Sequence, residues 1–262
     1  MEAWLIYLTV GALAGLLAGL FGVGGGLVIV PVLAWAFAKQ GMDSTLIMHL
    51  ALGTSLTTIV FTAISSVRAH HQRGAVRWPV VRQLAPGIVA GTLAGAAIAD
   101  ALPTQALRQF FGIFELTVAG LLWWNHQPSG HRGLPGTAGM SIAGSGIGVI
   151  SALVGIGGGT LTVPFLSWCK VHLREAVATS SACGLPIAIA GATGYLVMGL
   201  NNPLLPAGAT GYIYWPAFIG IALTSVLLAP VGARLAHTLP VNHLRKLFAL
   251  FLAVLGVRML AG

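Results

Sequence analysis

Two glycine runs are the residues in this chain whose type and spacing could do chemistry. Gly22-Val23-Gly24-Gly25-Gly26 and Gly155-Ile156-Gly157-Gly158-Gly159 lie inside otherwise apolar segments. Each glycine costs a helix about 1 kcal/mol against alanine, so four in five residues favour a break. At membrane depth a break is tolerated where its freed backbone groups are buried in protein or line a cavity. Free N–H groups at a helix N-terminus attract anions. The chemistry expected is non-covalent capture of an anion by backbone. The competing reading is close helix packing, but packing glycines are usually spaced by four rather than run together. A nucleotide fingerprint does not fit, because the sixth position of G-x-G-x-x-G is Leu27 in one run and Thr160 in the other.

Hydroxyls form the second group. Thr54 and Ser55 precede Thr58 and Thr62, and Thr54, Thr58 and Thr62 share one helical face; Thr179, Ser180 and Ser181 lie in a later segment. A hydroxyl can donate to an oxyanion without a permanent charge, which permits release. It can equally satisfy a helix carbonyl and glue helices. Glu115, between Phe114 and Leu116, is the one carboxylate near the centre of an apolar segment. An acid at that depth is expensive when charged and can carry a proton instead, which suits proton coupling; a bond to a neighbouring helix would also explain it. His49, shortly before Thr54, is a second candidate for coupling or anion contact. His70-His71 lacks a third ligand, so no metal is expected. Cys169 and Cys183 lie in or beside apolar segments, which gives no disulfide framework. No nucleophile–base constellation is visible, and no cofactor motif.

The elements that must position these residues are membrane spans. Of 262 residues, 56% are hydrophobic and 7% charged, with a mean hydropathy of +0.90. Five carboxylates and thirteen Lys/Arg cannot cover a water-soluble domain of this size. The +8 charge is scattered over short connections rather than gathered on a face, so nucleic acid is not a partner. Apolar segments run over 4–37, 45–67, 79–100, 104–124, 138–169, 176–198, 213–236 and 242–260, which predicts an all-α polytopic membrane protein. Met1-Glu2-Ala3-Trp4 lacks a basic signal-peptide start, so the first segment is expected to remain in place.

The chain is also doubled. An offset of 133 carries the first glycine run onto the second, Pro31 onto Pro164 and Trp35 onto Trp168. An offset of 137 carries Trp78-Pro79 onto Trp215-Pro216, Pro103 onto Pro240 and Arg108 onto Arg245. The expected organisation is a first repeat over 1–124, a cytoplasmic linker over 125–137 and a second repeat over 138–262. Each repeat would hold a glycine-broken helical hairpin and three further helices, eight to ten in total. If each hairpin returns to its own side, Arg68, Arg73, Arg77, Arg82, Arg132, Lys170, Arg174, Arg234, Arg245 and Lys246 collect inside, and Lys39, Arg108 and Arg258 outside. Straight crossings would divide the basic residues about evenly. The positive-inside rule therefore favours inverted repeats with both termini outside.

The doubled G-x-G-G-G…P block, the Ala51–Ser55 run with its partner Ala176–Ser180, and the basic loop ending in Trp78-Pro79 resemble the TauE/SafE sulfite exporter family. The resemblance spans about the entire chain. It implies secondary transport of a sulfur-containing anion such as sulfite or an organosulfonate, in a bacterial inner membrane. Paired breaks in matching positions of two halves also point to a midplane substrate site worked by alternating access. The expected substrate-binding residues are Gly22, Gly24, Gly25, Gly26, Thr54, Ser55, Gly155, Gly157, Gly158, Gly159, Thr179 and Ser180, with Glu115 and His49 as candidates for proton coupling. The competing functions are a passive anion channel and an intramembrane enzyme. The partners are a small anion and the bilayer; the sequence leaves the oligomeric state open.

Overall fold

The computed structural model describes residues 2–21, 25–124, 133–235 and 241–261. The described residues form ten helices. The first half holds α1 (Glu2–Phe21), α2 (Gly26–Lys39), α3 (Ile47–Gln72), α4 (Trp78–Ala101) and α5 (Thr104–Trp123). The second holds α6 (Thr137–Val154), α7 (Gly159–Trp168), α8 (Leu173–Gly199), α9 (Trp215–Leu235) and α10 (Val241–Ala261). This is an all-α polytopic membrane protein. Helices α3, α4, α5, α6 and α8 are long and apolar enough to cross a membrane. The 14 residues of α2 and the 10 of α7 reach only about 21 and 15 Å at 1.5 Å per residue, short of a ~30 Å hydrocarbon core.

Local sequence explains the boundaries. Trp78-Pro79 and Trp215-Pro216 open α4 and α9, because proline has no N–H to leave unpaired in a first helical turn. Gly155 ends α6 at φ 66°, a left-handed conformation that glycine adopts without a β-carbon clash. Its N–H donates to the Ala152 carbonyl (3.3 Å) and the Ile156 N–H to that of Ser151 (3.1 Å), which closes the helix end. The loop after α8 holds two strands that the sequence did not suggest, β1 (Ala209–Thr210) and β2 (Ile213–Tyr214). They pair antiparallel and fold back on α8, where the Tyr212 N–H donates to the Tyr195 carbonyl (3.1 Å).

The helices pack in a pattern that exchange of the halves preserves. Helix α4 packs on α6 as α9 does on α1, and α4 on α8 as α9 does on α3; α3 pairs with α8 and α5 with α10. The glycines spaced by four serve these pairs. A β-carbon on Gly87 or Gly91 would sit 1.9 or 2.1 Å from the carbonyl of Ser141 or Ser145 on α6. One on Gly11 or Gly15 would meet Ile221 or Ser225 on α9 at 2.7 Å or less. Small residues thus let backbones touch, as membrane helices require where lipid removes any hydrophobic drive between them. Large apolar side chains such as Leu223, Leu227, Leu247 and Val254 stay exposed on the outside of α9 and α10, as suits a surface facing lipid.

Candidate functional site

The two helix breaks meet. A β-carbon on Gly26, at the start of α2, would sit 2.4 Å from the Gly155 carbonyl and 2.9 Å from the Ile156 Cα. Gly155 itself is pressed between Leu52 of α3 and Val30 of α2. Ser55 reaches into this contact and donates to the Gly155 carbonyl at 2.8 Å. Gly25, at φ 80°, leads into α2 and accepts from the Val28 and Ile29 N–H groups at 3.0 Å. Gly22 and Gly24 lie outside the described residues.

Beyond Gly155 the backbone is buried and short of acceptors. The N–H groups of Gly157, Gly158, Gly159 and Thr160 find no acceptor among the described residues. The hydroxyls of Thr160 and Thr162, on the first turn of α7, and of Ser151, on the last turn of α6, are buried and also lack partners. Ser151 and Thr162 are fully buried. The Thr162 hydroxyl lies beside the break: a β-carbon built on Gly158 would be 3.1 Å from it and 3.3 Å from the Ser180 carbonyl. Gly184 of α8 leaves room in front of the Gly158 nitrogen, at 3.5 Å from where its own β-carbon would lie. A buried donor left unpaired costs about 1–3 kcal/mol, so a cluster of them is stabilised by any acceptor that enters. An anion at the positive end of α7 would meet the free N–H groups there and the Thr162 hydroxyl beside Gly158. Sequence reasoning missed Ser151, Thr160 and Thr162. The available signal was that the first repeat has Ala18, Leu27 and Ile29 at those places.

The other predicted residues divide. Thr54 accepts from the Tyr214 N–H at 2.9 Å, and Thr179 accepts from the Arg77 N–H at 3.0 Å. These are repeat mates: Thr54 and Thr179 correspond, and so do Arg77 and Tyr214. Each threonine therefore holds the start of a helix from the other half. Ser180 donates to the Val177 carbonyl of its own helix at 2.8 Å. Thr58 and Thr62 likewise bond carbonyls of α3, those of Thr54 and Ile59.

Glu115 is fully buried and neither carboxyl oxygen has a partner among the described residues. It sits on α5, in the α5–α10 pair rather than on a helix that carries a break. His49 lies at the start of α3, with Nε2 2.9 Å from the Ala99 carbonyl and its ring 5.0 Å from that of Tyr212. It lines a cleft of about 660 Å³ together with Asp100, Arg108, Asn202 and Tyr212. Neither candidate for coupling shares the glycine cluster. Cys169 and Cys183 are buried and not joined.

The family profile described as "Sulfite exporter TauE/SafE" matches residues 7–259. The chain belongs to the TauE/SafE family. It is 39% identical over 257 residues to a probable membrane transporter protein of Haemophilus influenzae, covering 97% of both chains. A probable membrane transporter protein of Methanocaldococcus jannaschii is 26% identical, over 97% of this chain and 94% of its own. A third, YunE of Bacillus subtilis, is 27% identical over 76% and 81%. No significant match to a solved structure was found. The TauE/SafE membership and these relatives make the chain a multi-pass membrane transporter.

Proposed function

We propose that this TauE/SafE protein is a secondary transporter of a small sulfur oxyanion or organosulfonate, held where the two helix breaks meet. The observation that carries the reading is the set of donors at the start of α7: four N–H groups and the buried Thr162 hydroxyl beside Gly158, with the hydroxyls of Ser151 and Thr160 on the flanking turns, all without acceptors among the described residues. Such a site binds tetrahedral or pyramidal oxyanions through many moderate bonds. It contains no lysine or arginine that would hold the anion too long for release. Ser55 fixes the peptide on which the second break turns, so the donors are ordered before the substrate arrives.

Alternating access would rock one half against the other about this contact. The exchange-preserving helix pairs support a two-fold relation of the halves. With the charge distribution, this favours inverted repeats in an inner membrane with both termini outside. In this reading 1–124 and 138–262 are the repeats and 125–137 the cytoplasmic linker. Glu115 is the proton-coupling group, because it is fully buried and unpartnered and an intramembrane acid is a functional residue by default.

The test is counterflow of labelled sulfite or sulfoacetate in proteoliposomes loaded with the unlabelled anion. Saturable counterflow in the parent, shifted to an about five- to thirtyfold higher half-saturation concentration in Thr162→Val, is the expected result. Flux that never saturates indicates a channel; unchanged counterflow in Thr162→Val places the site elsewhere. Glu115→Gln should retain counterflow and lose accumulation driven by a pH gradient. Full accumulation in that variant would make Glu115 structural.

A further inference from the structure

Two basic side chains lie over Trp35, near the end of α2, and a third lines the pocket that Trp35 helps to wall. Lys39 Nζ lies 4.5 Å from the centre of the Trp35 ring and the Arg258 guanidinium carbon 5.5 Å. Arg108, from the first turns of α5, lines a pocket of about 370 Å³ together with Arg258 and Trp35. No carboxylate lines this pocket, and its other walls are mainly apolar, including Pro31 and Leu255. Arg108 Nε is buried without a hydrogen-bond partner among the described residues. Asp100 lines only the neighbouring cleft, where its Oδ1 accepts from the Tyr212 hydroxyl at 2.7 Å.

A buried guanidinium donor without a partner is costly. Its planar fork matches an oxyacid group better than any other side chain does. Two guanidinium groups on one pocket, with the Lys39 ammonium over the same indole as Arg258, also raise the local positive potential and attract anions. The apolar walls favour a hydrocarbon body beside the acid group. We propose that this pocket is an anion site distinct from the helix breaks, taking an oxyacid group carried on a short apolar body. The acid group lies on Arg108 and Arg258, and the body lies along Trp35 and Pro31. The occupant is a soluble organic acid or the headgroup region of an anionic lipid; both present this chemistry. Pro31 is five residues from Gly26, about 7.5 Å along α2, so a soluble occupant would wait on the path toward the breaks. The proposal stands apart from the transport reading, because binding needs no second compartment.

The experiment uses the full chain in a neutral detergent, with butanesulfonate as probe and inorganic sulfate as reference, read by calorimetry. All variants are made in the Thr162→Val background, which weakens the helix-break site about five- to thirtyfold; binding that the Arg108 and Arg258 variants do not move is assigned to that site. Butanesulfonate should bind more tightly than sulfate. Arg108→Gln should weaken it by about 10- to 100-fold, as for loss of hydrogen bonds to a charged group, and Arg258→Gln by less. If Arg108→Gln does not fold, Arg108→Lys, which keeps the charge without the fork, should still weaken binding. Native mass spectrometry of protein from phosphatidylglycerol-containing membranes separates the sources. Retained lipid that is lost in the Arg108 variant assigns the lipid; butanesulfonate binding without retained lipid assigns a soluble acid. Absence of both, or unchanged binding in the Arg108 and Arg258 variants, overturns the proposal.

Discussion

The two helix breaks share their glycines and differ beside them. After the first run come Leu27 and Ile29, both buried and apolar. After the second come Thr160 and Thr162, whose hydroxyls are buried and unpartnered. Ala18 of the first half corresponds to Ser151 of the second. By contrast, the threonines that hold α4 and α9 are the same in both halves and make the same bond. In the proposed reading, what the halves share is scaffold, and what they do not share is chemistry. On that reading the two like halves give the frame about which access would alternate, and a single substrate, not itself two-fold symmetric, would be held mainly by one half.

The largest expected effect comes from attacking what both breaks need. Gly155→Val places a branched side chain at φ 66°, against Leu52 and Val30, where a β-carbon alone would already lie 2.8 and 2.9 Å from their side chains. Overpacking and backbone strain together should cost about 3 kcal/mol or more, and the variant should fail to yield monodisperse protein on size exclusion. Gly184→Ala, whose β-carbon would be in ordinary contact with Gly158 N, should fold normally and lose substrate binding. A folded Gly155→Val would mean that the breaks do not meet as described.

Next in size is the chemistry that the second break alone carries. Thr162→Val keeps the shape and removes an unpaired hydroxyl. Binding of the anion should weaken by about 1–2 kcal/mol, five- to thirtyfold, while Tm holds or rises, because an unsatisfied buried group has gone. Ile29→Val, at the mate position, should leave affinity unchanged. Equal losses at both positions would make the site symmetric and refute the one-sided reading.

The frame itself should respond equally. Thr54→Val and Thr179→Val each remove one acceptor from the start of a helix in the other half. Each should cost about 1 kcal/mol of stability, with the two values close and Thr→Ser restoring both. Thermal unfolding of the pair checks this. Ser55→Ala should also destabilise, because Ser55 bonds the Gly155 carbonyl across the halves, whereas Ser180→Ala loses only a bond within its own helix.

Composition and hydropathy made the class legible, and the doubled glycine block made the two breaks legible, because each rests on short-range chemistry. The packing glycines Gly11 and Gly15, and Gly87 and Gly91, likewise carry their spacing of four in the sequence itself. The roles of Thr54 and Thr179 were not, since their partners Tyr214 and Arg77 lie 160 and 102 residues away. A threonine looks the same in sequence whether it binds a ligand or a helix start. The donor cluster was hidden differently: the repeat drew attention to identities, and Thr160, Thr162 and Ser151 are departures from the repeat. The strands β1 and β2 are too short to leave a period.

The smallest expected effect lies in the one place where the two threonine contacts differ. Beside Thr179, Arg77 Nε also meets Glu175 Oε2 at 3.3 Å. The mates of Arg77 and Glu175 are Tyr214 and Leu50, so the other contact has no ion pair. Both charged side chains remain well exposed, at 44% and 40%. Water and salt screen such a pair, and holding two long side chains in register costs entropy. Glu175→Gln should therefore change stability by about 0.5 kcal/mol or less, and the difference should vanish as ionic strength rises. Thermal unfolding of parent and variant at low and high salt measures it. A loss at low salt approaching that of Thr179→Val, and reversed at high salt, would show that the charge pair rather than the threonine holds the start of α4.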